Sequence, residues 1–255
     1  MFKNNIPFFQ SGNILKKSML MNLRDYPRNF IDYYFHEYSD GIIAGSDIFI
    51  EDRYFCINKG LIKHNGIIYF LDEVNRIEYF NTNKEMIVKI RFMEMREEKD
   101  FKCYESQVVL EDDLEIKDNE MEIGRFKLRE GARLRSDYSD FGDFQTEFNT
   151  INIINVPYAS IGRSTLHPLI VESFANNLIN LSRDALDFAF AMECLNTKIV
   201  RRILLEKYLI RRLNLEDREY TNLEIYRYMR NIIRELSGVK VIHDKRKTVP
   251  KILVD

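Results

Sequence analysis

The sequence lacks paired cysteines. Its three cysteines, Cys56, Cys103 and Cys194, lie far apart and form no CxxC pair. A disulfide framework and a cysteine-rich zinc site both need closely spaced or numerous cysteines, so this spacing argues against either. Free cysteines are typical of proteins that reside in a reducing compartment, and we therefore expect a cytoplasmic protein.

Long apolar runs are also missing. The apolar stretch in the N-terminal segment MFKNNIPFFQSGN is too short for a signal peptide. No stretch of the sequence approaches the roughly 20 apolar residues of a membrane span. Direct insertion into a bilayer is not expected. With 45% hydrophobic residues in 255, the chain can bury one large core or two modest ones.

Recognisable catalytic motifs are absent from the sequence. It contains no GxxxxGK[ST], no GxGxxG after a strand, no GxSxG and no HExxH. The histidines are scattered and share no spacing suited to a metal: His36, His64, His167 and His243. The sequence therefore predicts no catalytic residue, no metal site, no cofactor and no small-molecule substrate, and it favours a protein that is not an enzyme.

The charge shows no large excess of either sign. The net charge is −2, although residues 94–122 hold twelve acids against four bases and residues 196–236 hold ten bases against six acids. Arginines on the later helices leave one alternative open, a nucleic-acid-binding accessory protein that uses a basic helical face. Acids interspersed among them, such as Glu206, Glu216 and Glu219, favour a solvated helical face over contact with phosphates.

Residues 39–72 alternate β-branched and aromatic runs with turn residues, which predicts a meander of strands. Asn65-Gly66 suits a type I′ hairpin turn, and Gly60 is a candidate for a positive φ. Further runs at 77–80, 86–93, 103–110, 121–128 and 151–156 favour an antiparallel sandwich or partial barrel, with residues 136–149 as a loop.

Two segments precede the strands. Residues 1–23 are apolar but follow no regular period for long, which indicates an arm that either folds onto its own domain or docks on another subunit. Residues 25–38 carry apolar side chains on one helical face, with Asp25 as a cap, Pro27 in the first turn and Gly41 as the stop. We expect this aromatic stripe to belong to the core: Phe30, Ile31, Tyr34, Phe35 and Tyr38.

The period becomes helical after Ser164, where Ser164 or Thr165 can cap and Pro168 suits the first turn. Residues 185–195 are apolar on almost every side, which predicts self-association through a helical bundle, with packing onto the β domain as the alternative. Arg201, Arg202, Arg211 and Arg212 are expected on the outside of the next helix. Thr221 and Glu224 form a capping box for the last helix, which Gly238 ends.

The whole pattern predicts an α+β fold. We expect an arm at 1–23, an antiparallel β-sandwich shell domain at 24–160, a helical neck for oligomerisation at 161–238 and a basic tail at 239–255.

The order of these features resembles a known family. Ser11–Leu15 in the arm, Asp40-Gly-Ile-Ile-Ala-Gly45, the Lys63–Gly66 hairpin, the strand Ile123–Leu128 and the helices from Ser164 together resemble the type VI secretion baseplate subunit TssK, whose shell is similar to that of phage receptor-binding proteins.

The resemblance implies a trimer in a contractile injection machine or phage-tail-like particle that docks on baseplate wedge proteins. By this resemblance the wedge contact contains Phe8, Phe9, Ile14 and Leu15, and the oligomer interface contains Leu186, Ala189, Phe190 and Leu195. This chain stops soon after Gly238, where the family continues into a head domain, so attachment to a membrane complex is not expected.

Overall fold

The computed structural model describes residues 1–238, so the predicted tail at 239–255 lies outside the described residues. The helices and strands follow one another along the chain in this order: α1 Lys17–Tyr34, β1 Gly41–Gly45, β2 Ile48–Glu51, β3 Tyr54–Ile57, β4 Gly60–His64, β5 Ile67–Leu71, β6 Asn75–Glu78, β7 Glu85–Phe92, β8 Arg96–Glu97, β9 Lys102–Cys103, β10 Ser106–Glu111, β11 Glu120–Lys127, a 3₁₀ helix Phe141–Gln145, α2 Pro168–Leu181, α3 Ala185–Asn196, α4 Arg202–Leu213 and α5 Asn222–Leu236.

The strands pair antiparallel in small sheets, which confirms the predicted α+β class. The sheet orders are β1-β4-β5, β2-β3-β6, β10-β7-β11 and the two-stranded β8-β9. The turn between β4 and β5 is as predicted, because Asn65 and Gly66 both adopt positive φ, at 47° and 77°. The prediction for Gly60 is wrong: the left-handed residue is Gly45, at φ 65°. Gly60 is needed for space, since a Cβ there would lie 2.2 Å from Ser46 Oγ.

The run at 151–156 does not form the predicted strand. Asn152 makes only an isolated bridge with Arg125 of β11, and its side-chain oxygen accepts a hydrogen bond from the backbone N–H of Ile154 at 2.9 Å. That local bond turns the chain, as asparagine side chains often do. Its apolar residues, Ile151, Ile153, Ile154 and Val156, are nevertheless all buried, so the apolar run in the sequence reflects a place in the core and not a strand.

The start of the chain differs most from expectation. The helix predicted from Asp25 begins eight residues earlier, at Lys17, because Leu20 and Leu23 continue its apolar spacing into the predicted arm. Pro27 therefore lies inside the helix rather than in its first turn. The prediction that the stripe is core is also wrong, since α1 has no buried residue and Phe30 and Tyr34 are both 62% exposed.

The helical half follows the sequence closely. The capping box of α5 is present in both directions between Thr221 and Glu224. Asp184 caps a separate helix, α3, by accepting from the N–H groups of Leu186 and Asp187. The cap of α2 is His167, not Ser164 or Thr165, with Pro168 in the first turn as expected.

One continuous core connects the strands with the helices. Tyr226 of α5 stacks on Phe141 of the 3₁₀ helix with ring centroids 5.1 Å apart, and its hydroxyl donates to the Phe141 carbonyl at 2.7 Å. Phe141 in turn contacts Phe174 of α2. The helices are therefore fixed on the β body, and their exposed faces have a defined orientation relative to it.

Candidate assembly surfaces

Helix α3 has two different apolar faces. Its inner face, formed by Asp187, Phe190, Ala191 and Cys194, is buried. Its opposite face keeps Phe188, Met192 and Leu195 exposed by 52%, 49% and 41%. These three side chains recur at i, i+4 and i+7, so they form one stripe along the helix. We call this stripe, with its neighbours Leu186 and Ala189, the outer face of α3.

The inner face fixes α3 by a buried polar cluster around Asp187. The Asp187 carboxylate accepts hydrogen bonds from the Tyr208 hydroxyl at 2.8 Å, from Ser182 Oγ at 2.7 Å and from Arg212 Nε at 3.1 Å. Burial, reinforced by the bond to Asp187, raises the pKa of Tyr208 well above its ordinary value. A helix held this way presents its outer face rigidly.

The structure separates the four residues that the sequence grouped as the oligomer interface. Leu186, Ala189 and Leu195 lie on exposed positions, whereas Phe190 is only 5% exposed and stacks on Tyr208 of its own chain. Phe190 thus supports α3 from inside. Phe188 and Met192 belong to the outer face and were missed, although their spacing with Leu195 was present in the sequence.

The outer face of α3 carries almost no charge. All of α3 lies in the described part of the chain, and its charged residues are Asp187, which is buried, and Glu193. Beyond its end, a groove of about 400 Å³ runs between α3 and α4, bordered by the exposed side chains of Ile203 and Leu204. The apolar surface therefore continues from one helix to the next.

The basic helical face that the sequence left open as an alternative is only partly present: Arg201 and Arg211 are exposed, whereas Arg202 and Arg212 form contacts within the chain. Arg202 is buried, and its guanidinium donates to Glu206, to Asn222 at 2.6 Å and to the carbonyl of Ser164 at 3.1 Å. Arg212 is bound to Asp187 and Glu235. The prediction that these arginines lie outside is therefore wrong for Arg202, which is buried, and for Arg212, which is mostly covered by its ion pairs between helices.

The predicted arm contact lies far out on the surface. Phe8, Phe9, Ile14 and Leu15 are exposed by 71%, 55%, 82% and 56%, in a segment that precedes α1 and has no regular element. They occur on one stretch of chain, as the sequence predicted, without being covered by the β body.

His167 and Cys194 are both buried in the core. His167 is buried at the start of α2, where Nδ1 accepts from the N–H of Leu169 at 3.2 Å and Nε2 lies 3.3 Å from the Tyr158 hydroxyl. Burial lowers the pKa of His167 to about 3 and raises the pKa of Cys194 to about 12. His167 is therefore neutral and Cys194 is a thiol at neutral pH.

Within residues 1–238, no three His, Cys, Asp or Glu side chains are grouped so that they could hold a metal ion. Asp143, in the predicted acidic loop, is instead bound by Arg135, which lowers its pKa well below the ordinary value. Across the same range, no helix is both long enough and apolar enough to span a membrane.

Comparisons with known proteins come from structure alone. Protein-family models and curated proteins give no match to this chain. Solved structures do. The chain is similar in structure to TssK.

A crystal structure of TssK matches with a TM-score of 0.46 and 10% identity, over 94% of this chain and 73% of that one. A TssK-TssF-TssG baseplate subcomplex of the type VI secretion system matches with a TM-score of 0.39 and 9% identity, over 92% and 100%. A type VI baseplate complex matches with a TM-score of 0.35 and 9% identity, over 92% and 99%. These structures belong to the family that the sequence resembles. Because the TM-scores lie below 0.5, the function has to be inferred from this chain's own surfaces.

Proposed function

We propose that this chain is a structural subunit that assembles with copies of itself through the outer face of α3. The observation that carries the proposal is the exposed stripe of Phe188, Met192 and Leu195 on a helix whose other side is anchored in the core. Full burial of one such side chain stabilises by about 1.5–3 kcal/mol, so half-exposed ones leave roughly 1 kcal/mol each to be gained by association.

The stoichiometry we propose is a trimer, as the sequence resemblance to TssK implies. A helix that is anchored on one side and apolar on the other is suited to a symmetric bundle in which each copy contributes the same face. Little electrostatic repulsion opposes the approach of identical copies, because Glu193 is the single exposed charge on α3.

The second part of the proposal concerns the arm. We propose that Phe8, Phe9, Ile14 and Leu15 dock on other baseplate proteins of a contractile injection or phage-tail-like machine. Exposed apolar residues of this size, gathered in a short irregular segment, are typical of segments that become ordered on a partner. One of the similar structures is a TssK-TssF-TssG baseplate subcomplex, so proteins like TssF and TssG are the partners to test.

The experiment compares native masses of the wild-type chain and two lysine variants. Phe188→Lys places a charge on the outer face of α3, whereas Phe80→Lys changes a side chain that is comparably exposed, at 60%, on the β body. We expect a trimer for the wild type and for Phe80→Lys, and a monomer for Phe188→Lys. A wild-type monomer would refute the self-assembly part of the proposal.

The arm is tested separately with the double variant Phe8→Ser, Phe9→Ser. We expect it to remain a trimer and to lose co-purification with co-expressed TssF-like and TssG-like proteins from the same genome. Unchanged co-purification would refute the role of the arm while leaving the α3 interface in place.

A further inference from the structure

Helix α1 is an 18-residue helix in which no residue is fully buried by the part of the chain that the structure describes. Most of the stability of helices in proteins comes from the packing of one apolar face rather than from helix propensity. Its N-terminus is also unfavourable: Lys16 at the N-cap makes no side-chain capping bond, Lys17 follows, and the first turn has no acid. Bases near the positive end of a helix dipole destabilise it. Within residues 1–238 this helix therefore has no packing partner for its exposed face, and the basic residues at its start favour an acidic one.

The apolar side of α1 forms a single exposed stripe. Leu20, Leu23, Phe30 and Tyr34 follow each other at spacings of three, seven and four residues, which places them on one face. Each is at least 50% exposed, and the rings of Phe30 and Tyr34 stack with centroids 6.1 Å apart. A stripe of this kind fits a partner whose contact surface is apolar at its centre.

The charges that flank this stripe are mostly basic. Arg24 is neutralised by Asp25 at 2.6 Å. Among the ion pairs of the described residues, none involves Lys16, Lys17 or Arg28, and the acid left over on α1 is Asp32. The free charge of the helix is thus positive.

A second feature of the surface has the complementary properties. Residues 93–105, which we call the acidic hairpin, contain β8, β9 and the turn between them. Backbone hydrogen bonds join its two strands: the Met93 N–H donates to the carbonyl of Glu105 at 2.9 Å, and the Glu98 N–H donates to the carbonyl of Phe101 at 2.8 Å. It exposes large apolar side chains along its length: Met93, Met95, Phe101 and Tyr104.

The free charge of the acidic hairpin is negative. Two of its bases are used internally, since Arg96 pairs with Glu105 and Lys102 pairs with Glu97 at 3.5 Å. Glu94, Glu98 and Asp100 take part in none of the ion pairs found within residues 1–238, and Lys99 is the base left over. Apolar side chains surrounded by unpaired acids fit a basic, apolar helix.

We propose that α1 of one copy docks on the acidic hairpin of a second copy. This inference rests on the proposed self-assembly and names a second contact within it. Lys63 holds the end of α1 by donating to the carbonyls of Phe35 and Tyr38, each at 2.6 Å. The next residue, His64, stacks on Phe92 at the base of the hairpin with centroids 3.9 Å apart.

The end of α1 and the base of the acidic hairpin are therefore both attached to the β body at the neighbouring residues Lys63 and His64. Leu20 and Phe101 remain exposed in a single copy, so a neighbouring copy has to cover them. When each copy gives α1 to the next and receives the helix of the previous one, the contact is heterologous and closes into a ring.

Disulfide trapping between two different variants tests the contact. Both carry Cys103→Ser, because Cys103 lies in the hairpin, while Cys56 and Cys194 are buried. One protein adds Leu20→Cys and the other, made longer by a tag, adds Phe101→Cys. We expect a mixed disulfide after the two are co-assembled and oxidised, and none when Phe101→Cys is replaced by Phe80→Cys, which lies off the hairpin.

Charge reversal provides the matched second measurement. Lys16→Glu with Lys17→Glu should lower the yield of mixed disulfide by about fivefold, the effect of two exposed ion pairs, and Glu98→Lys with Asp100→Lys on the other protein should restore it. A third protein carries Leu20→Cys and Phe101→Cys in the same chain. A disulfide that forms within this chain, but not between the two singly substituted proteins, would overturn the proposal, because it would place α1 on its own hairpin.

Absence of any cross-link in a sample whose native mass is that of a trimer would overturn the proposal and leave the α3 interface standing. A monomeric native mass without a cross-link would overturn both. The two failures are therefore distinguishable in the same sample.

Discussion

Phe190 of α3 stacks on Tyr208 of α4, with ring centroids 3.8 Å apart and ring planes 8° from parallel. Two positions earlier in the same helix, Phe188 is half exposed and lies on the outer face. The two phenylalanines are alike in the sequence, but the fold uses one for packing within the chain and leaves the other for a partner.

This difference predicts opposite effects of the same substitution. Phe190→Ala should lower the free energy of unfolding by about 3–5 kcal/mol, because it opens a cavity beside Tyr208. Phe188→Ala should change the unfolding of the isolated chain by about 0.5 kcal/mol or less and should weaken self-association instead. Urea denaturation measured at low and high protein concentration separates the two effects. Equal losses of stability for both variants at low concentration would contradict this assignment.

The buried His167 predicts loss of stability in mild acid. Burial lowers its folded pKa to about 3, whereas the unfolded chain titrates near 6.5. Below pH 6.5 the unfolded state therefore binds the proton more readily than the folded state. The stabilisation is complete above about pH 6.5 and falls by up to about 1.4 kcal/mol per pH unit as the pH decreases toward 3.

Unfolding measured between pH 6.5 and 5 tests this prediction, because the lowered pKa values of Asp143 and Glu224 act only at more acidic pH. His64, whose pKa is lowered by burial and partly restored by Asp40, adds a further slope of the same sign. We expect His167→Gln to flatten the pH dependence, with the exposed His36→Gln as a control. A wild-type slope that survives in His167→Gln would contradict the account.

The end of α1 is attached to the β body through Lys63. Its ammonium group donates to the carbonyls of Phe35, His36 and Tyr38, and the residue is 7% exposed. Lys63→Met would remove three hydrogen bonds and leave carbonyls unpaired, which should lower the free energy of unfolding by about 1–3 kcal/mol. The exposed Lys59→Met provides the control. Equal stability of both variants in chemical denaturation would show that Lys63 does not anchor the helix.

Local rules in the sequence were sufficient for many elements of the fold. The capping box of α5 and the Asn65-Gly66 turn are decided within a few residues, so both were predicted correctly. Positions 151–156 and 60 were mispredicted, because Asn152 bonds locally to Ile154 and Gly60 is constrained by the distant Ser46. Apolar content alone cannot distinguish a buried irregular segment from a strand.

The candidate surfaces show the same contrast between features decided by nearby residues and features decided by distant ones. The sequence predicts that residues 185–195 are apolar on almost every side, but it cannot tell which side faces the core. That choice depends on Tyr208 and Arg212, which lie more than twenty positions away and fix Asp187 inward. In α1 the aromatic stripe predicts a core position but is exposed, because sequence periodicity does not reveal whether a helix has anything to pack on.

The most direct test of self-assembly through α3 is the native mass of the wild-type chain at micromolar concentration, measured beside Met192→Lys. The account predicts a species of three 30.5 kDa chains for the wild type and a single chain for the variant. A wild-type mass of one chain, or a trimer that Met192→Lys leaves intact, would contradict it.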